Sequence, residues 1–181
     1  MFNTEDTSSD LLQQPFQTLM RAFSSFKPSS PTTEKALTPA FLDPVIRALK
    51  RRRLDKGTVL FRSGERPDDG LYFVESGVLK AIYQFHDHSD ETLSATIAES
   101  MVAGTLAGEL SALSGEPRNA TVVVSSEEAV VWQMTKSDLE ELQSGEESGE
   151  VGRVFVGLVL KCTSPFRTVL WFEGGADEGR M

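Results

Sequence analysis

Sulfur and imidazole are scarce in this chain. Its 181 residues include one cysteine, Cys162, and two histidines, His86 and His88. A lone cysteine cannot close an internal disulfide, which fits a reducing, cytoplasmic setting. Basic residues are in deficit: 18 Lys and Arg against 27 Asp and Glu leave a net charge of -9. Such a surface repels phosphate backbones and anionic membranes at long range, so nucleic acid is not an expected partner. Long apolar runs are missing too. The longest, at 154–160, is seven residues including Gly157, whereas a membrane-spanning helix needs about 20, so no membrane span is expected. The opening Met1-Phe2-Asn3-Thr4-Glu5-Asp6 has neither the basic start and apolar stretch of a secretory signal nor the acid-free character of a mitochondrial presequence.

What remains is enough for one ordinary domain with tails, since 39% of the residues are hydrophobic. Residues 1–38 form a Ser/Thr/Pro-rich N-terminal segment, with a linker-like stretch at Lys27-Pro28-Ser29-Ser30-Pro31-Thr32-Thr33. Inside it, Leu12, Phe16, Leu19, Met20, Phe23 and Phe26 recur at three- and four-residue steps. That spacing predicts an amphipathic helix over 15–26 starting at Pro15, which needs a surface to bury its stripe. Phe41, Val45, Ile46 and Leu49 predict a second helix over 39–50. The period then changes to two, predicting strands at 58–61, 71–74, 78–85, 92–97, 120–124 and 129–134. Lys56-Gly57, Ser63-Gly64, Asp69-Gly70 and Ser76-Gly77 supply the turns. Many short strands at even spacing mean an antiparallel roll, barrel or sandwich, assigned to 39–142. A helical segment follows over 143–173, where Val151, Val154, Phe155, Leu158, Val159 and Cys162 make a stripe expected to pack on the β block. Phe166, Val169, Leu170, Trp171 and Phe172 suggest a further short helix before a loose tail at 174–181.

The most informative stretch runs Gly108-Glu109-Leu110-Ser111-Ala112-Leu113-Ser114-Gly115-Glu116-Pro117-Arg118-Asn119-Ala120-Thr121-Val122, interrupting the strands with one helical turn. Glycine allows close backbone approach, a helical turn offers N–H groups at its start, and Arg118 can fork two hydrogen bonds onto a phosphate. Glu109 cannot contact phosphate but can accept from a sugar hydroxyl. Glycine, acid and arginine together point to a sugar phosphate.

Here the sequence resembles the cyclic nucleotide-binding domain family, whose phosphate cassette reads Phe-Gly-Glu-Leu, a short loop, then Arg, a small residue, Ala and Thr. The resemblance covers roughly 41–142. It includes Lys56-Gly57-Thr58-Val59-Leu60-Phe61, Ser63-Gly64-Glu65, Leu71-Tyr72-Phe73-Val74-Glu75-Ser76-Gly77-Val78-Leu79 and Ala103-Gly104 ahead of the cassette. With Glu99-Ser100-Met101-Val102-Ala103-Gly104 and Thr121-Val122-Val123-Val124, it looks most like the version at the carboxyl end of fungal sulfate-permease family transporters. No transporter domain accompanies it here, so a standalone relative or a part of a longer protein is expected. The resemblance implies a mainly β fold, an antiparallel jelly-roll of about eight strands with flanking helices. It also implies a ligand, cAMP or cGMP. Glu109 would take the ribose 2′-hydroxyl and Arg118 the cyclic phosphate. Gly108, Leu110, Ser111, Asn119 and Ala120 would complete the cassette, and an apolar residue of a following helix, Phe155, Leu158 or Trp171, would cover the base. Ala107 stands where the family usually has an aromatic residue, and Asn119 where it has Ser, Thr or Ala.

Other readings compete. Glu109 and Arg118 can simply pair with each other in a roll that keeps its fold and binds no nucleotide, leaving an unknown protein as its partner. His86-Asp87-His88 has metal-ligand chemistry, but a cupin-type metal site needs a further histidine, so a solvated hairpin tip is expected. Lys50-Arg51-Arg52-Arg53 reads as a helix end and a first strand with basic side chains in water. Six acids and no base at 138–150 read as a solvated helix face and loop. No nucleophile has a base beside it and no basic recognition helix follows the roll, so neither an enzyme nor a transcription factor is expected. A non-enzymatic regulatory module with no metal is the expectation.

Overall fold

The computed structural model describes residues 7–24, 35, 37–86, 94–146 and 148–162. The expected linker at 27–33, Phe26, His88, the short helix around Trp171 and the tail lie outside them. Helix α1 (Thr7–Ala22) and helix α2 (Pro39–Ala48) lead into β1 (Lys50–Asp55) and β2 (Val59–Phe61). A 3-10 turn (Pro67–Asp69) precedes β3 (Leu71–Ser76), followed by β4 (Leu79–His86), β5 (Ser94–Met101) and β6 (Leu106–Ala107). The short helix α3 (Glu109–Ser114) separates β6 from β7 (Thr121–Val124) and β8 (Glu128–Met134), and α4 (Lys136–Ser144) and α5 (Gly149–Cys162) follow. The eight strands form two four-stranded antiparallel sheets, ordered β1-β8-β3-β6 and β2-β7-β4-β5.

Strand β3 explains the architecture. Its run Leu71-Tyr72-Phe73-Val74 is buried throughout, with no exposed alternate residue. Successive side chains point to opposite faces of a strand, so a strand buried on both faces separates two cores. Leu71 and Phe73 join α1, α2, α4 and α5 in a helical-layer core, together with Trp132 and Met134 of β8. Tyr72 and Val74 face the other sheet and join Leu54, Phe61, Leu79, Val122, Ala129 and Val131 in the roll interior.

The N-terminal helix begins at Thr7, earlier than its periodicity predicts, and passes through Pro15. Proline inside a helix forfeits one backbone hydrogen bond. Burial beyond it offsets that loss: Leu19 is 0% and Phe23 2% exposed, and Phe23 makes edge-on contacts with Phe73 and Phe155 at 6.2 Å each. The stripe's covering surface is therefore this domain's own helical layer. Helix α5 buries Phe155, Leu158 and Val159 as its stripe predicts, but against α2, α4 and the outer face of β3.

The basic run forms β1, and each member makes a solvent-exposed polar contact. Lys50 meets Asp138 at 3.0 Å, Arg51 meets Glu75 at 2.6 Å, Arg53 meets Glu128, and Arg52 donates to Gln133 at 3.2 Å. Asp138 also closes a capping box with Thr135 at the start of α4. Burial alone would raise its carboxyl, but hydrogen bonds from Thr135 and Lys50 outweigh that and hold it below its ordinary value. No helix of the described residues is long and apolar enough to cross a membrane.

Candidate functional site

Arg118 is the largest of the fully buried side chains, 2% exposed. Its backbone is pinned to the loop after β2: its N–H donates to the Glu65 carbonyl at 2.9 Å, and its carbonyl accepts from Gly64 N–H at 2.7 Å. The guanidinium lies over the Phe61 ring, 4.1 Å from the centroid, a cation on a π face. Nη1 donates to the Gly108 carbonyl at 2.6 Å, and Nη2 donates to Asp69 Oδ1 at 2.5 Å and to the Gly70 carbonyl. Nε, equally buried, has no hydrogen-bond partner among the described residues.

Gly108 is required twice over. Its φ of 77° lies in the left-handed region, and a Cβ there would stand 2.4 Å from Arg118 Nη1. Glycine thus admits both the sharp turn into α3 and the guanidinium packed against it. Helix α3 then carries two faces. Glu109, 1% exposed, Leu110 and Ser111 face a cleft, while Ala112 and Leu113 pack into the helical-layer core. The Ser111 hydroxyl donates to the Pro117 carbonyl at 3.2 Å and closes the loop between α3 and Arg118.

The cleft opens to solvent and as it stands holds a cavity of only about 20 Å³, against about 350 Å³ when the open space at its mouth is counted. It gathers all seven of the sequence-predicted residues, Gly108, Glu109, Leu110, Ser111, Arg118, Asn119 and Ala120, and adds Phe61, Ala81, Tyr83, Met101, Ala107 and Val122. With Ala107 small and 1% exposed, Phe61 and Tyr83 supply the aromatic lining.

Asp69, the carboxylate paired with Arg118, is the contact that sequence reasoning missed, because Asp-Gly reads locally as a turn. It anchors a chain of partly buried hydrogen bonds: Tyr72 Oη donates to its Oδ2 at 2.8 Å, and Gln133 Nε2 donates to its carbonyl at 2.8 Å and to Tyr72 Oη at 3.2 Å. Burial, with the Asp69 charge added, pushes the Tyr72 phenol well above its ordinary value. The ion pair shown for Arg118 is thus with a residue far away in sequence, and only the fold brings the two together.

Two expectations need correction or bounding. Phe155 and Leu158 cannot cover a base in this cleft as they stand, because they belong to the helical-layer core on the opposite side of β3. Trp171, the third candidate, lies outside the described residues. His86 ends β4 opposite Ser94, and residues 87–93 between them lie outside the description. Among the described residues no group of three or more His, Cys, Asp or Glu side chains is placed to hold a metal ion.

The sequence model of the cyclic nucleotide-binding domain matches residues 51–145. A cyclic nucleotide-gated potassium channel of Mesorhizobium japonicum is 29% identical over 119 residues, 66% of this chain and 29% of the channel. A second such channel, from Rhizobium etli, is 35% identical over 91 residues, half of this chain and 22% of the channel. The chain therefore spans less than a third of the length of these relatives. Among solved structures, a cyclic nucleotide-binding domain from Methylobacillus flagellatus superposes with a TM-score of 0.64 at 16% identity, over 92% of this chain and 85% of that one. The regulatory domain of Toxoplasma gondii PKA, crystallised with cAMP, gives 0.59 at 19% identity, over 87% and 52%. These two establish the shared β-roll.

Proposed function

This chain belongs to the cyclic nucleotide-binding domain family, and on that premise we propose that it is a non-enzymatic regulatory module taking cAMP or cGMP in the cleft beside α3. The observation that carries the reading is Arg118: a cation 2% exposed whose Nε–H faces no acceptor among the described residues. A buried donor without a partner costs about 1–3 kcal/mol, and a phosphate oxygen is the acceptor such a guanidinium favours. The buried Glu109 carboxylate has the chemistry to accept from a ribose hydroxyl, and Asn119 and Ala120 line the same cleft.

A regulatory output follows from the two faces of α3. A phosphate drawing on Arg118 competes with Asp69 for the same cation. Any shift of α3 is felt by Ala112 and Leu113 in the helical layer, and so by α5. Ligand then redistributes two packings of that layer instead of building a new one.

Calorimetric titration with cAMP and cGMP tests the reading directly. Binding is expected, and Arg118→Ala should weaken it by about 2–5 kcal/mol, since a charge-assisted contact in a desolvated site is lost. No heat and no displacement at millimolar nucleotide overturns the proposal. It would favour the rival in which Arg118, already bonded to Asp69, Gly70 and Gly108, serves as a structural rivet in an interaction module.

A further inference from the structure

Each sheet ends in two strands: β1 and β6 in one, β2 and β5 in the other. A bare edge recruits foreign strands, and proteins blunt edges by keeping them short, charged or bulged. Strand β6 has two residues. Strand β2 has three, with a register irregularity between Val59 and Phe61. Strand β1 carries Lys50, Arg51, Arg52 and Arg53. Strand β5 has none of these protections. It is eight residues long, Ser-Ala-Thr-Ile-Ala-Glu-Ser-Met, with one charge and neither Pro nor Gly, and it pairs with β4 without a break from Ser94 to Met101. Among the described residues it has no strand on its other side.

The distribution of exposed apolar groups points to the same edge. Three large hydrophobic residues are exposed among the described residues; Ile97, 37% exposed, lies on β5, and Val102, 50% exposed, directly follows it. Thr96 and Ala98 are exposed as well. Since neighbours on a strand point to opposite faces, both faces of β5 are open at 96–98, and the strand stands clear of the roll there.

We propose that β5 is the surface on which two copies of this chain associate, edge to edge and antiparallel, joining their β2-β7-β4-β5 sheets into one of eight strands. The charge pattern selects a second copy as the occupant. A two-fold axis normal to the sheet at Ile97 sets Ile97 against its counterpart, Thr96 against Ala98, and Glu99 against position 95, so no charge meets a like charge. The contact is self-complementary and closes at two copies. Pairing β5 with the basic β1 of another copy would be head-to-tail and leave an edge open at each end. This inference is independent of nucleotide binding.

Sedimentation velocity of the full chain over a concentration series tests it. The mass should rise from 19.9 kDa toward twice that value, with a midpoint on the order of 10–100 μM for so small an interface. Thr96→Glu with Ala98→Glu sets four carboxylates across the axis and should raise the dissociation constant about tenfold or more. Thr96→Glu with Ala98→Lys instead creates two opposite-charge pairs, so the dimer should persist and loosen with added salt. Both positions are exposed, so circular dichroism and melting of the two double variants should match the wild type. A monomer throughout the series overturns the proposal. So does equal association of the two double variants, because an interface elsewhere would not sense residues 96 and 98.

Discussion

The two cores on either side of β3 are built from different chemistry. The helical layer is apolar and aromatic: Phe23, Phe73 and Phe155 meet pairwise at 6.1–6.2 Å, surrounded by Leu, Val and Ile. The cleft side holds three of the four buried polar or charged residues among those described, Glu109, Ser111 and Arg118, the fourth being Thr18 of α1. Apolar burial is additive and tolerant of small shifts, so the helical layer supplies stability. Buried charge is stable only while its partners stay in place, so the packing around Arg118 depends on the Asp69, Gly70 and Gly108 acceptors. One sheet thus separates an apolar core from a cleft built around a buried, ion-paired guanidinium.

Removing Phe155 separates the two roles most sharply. Phe155→Ala deletes a ring 0% exposed and should cost about 3–5 kcal/mol of stability by denaturant unfolding, while nucleotide affinity of the protein still folded should change by much less, through the coupling of α3 to the layer. A large loss of affinity at unchanged stability would reverse the assignment. Gly108→Ala comes next and acts on the other side. Positive φ strain of about 1–2 kcal/mol and the clash with Arg118 Nη1 should lower both stability and nucleotide binding, read by melting and titration together. Thr135→Ala removes half of the capping box of α4 and should cost about 1 kcal/mol, with no effect on the cleft.

The smallest expected effect is acid sensitivity. The hydrogen bond from Arg51, helped by Trp132 against the opposing effect of burial, holds the Glu75 carboxyl below its ordinary 4.5. A carboxylate depressed in the folded state stabilises above its unfolded value and loses that contribution as pH falls through the folded one. Melting temperature should therefore decline from about pH 4.5 downward, and Glu75→Gln should flatten that decline. Identical slopes in wild type and variant would show that this carboxylate does not couple to folding.

Much of the roll was legible because its signals are local. The Leu71-Tyr72-Phe73-Val74 run, the Gly57, Gly64, Gly70 and Gly77 turns and the α5 stripe need only their neighbours to be read, and six of the eight strands lie close to their expected positions. Strand β6 was not found because two residues carry no period, and the start of α1 was misplaced because Pro15 is a start signal in a peptide but tolerated where burial offsets its lost bond. The cassette residues converge on one cleft, although their part in binding rests on the titration.

By itself, the sequence determined which residue types were available for each role: glycine where φ must be positive, one arginine and one acid in a short loop, and apolar stripes of helical period. These follow from backbone sterics and side-chain chemistry, which act over a few residues. Tertiary structure alone decided the partners. It set Asp69 against Arg118 across 49 positions, placed Phe155 and Leu158 behind β3 instead of over the cleft, and left β5 as a long edge with a single charge among the described strands. Which face of a stripe meets which core, and which cation meets which carboxylate, depends on chain paths that bring distant segments within a few ångströms, and no local pattern encodes those distances.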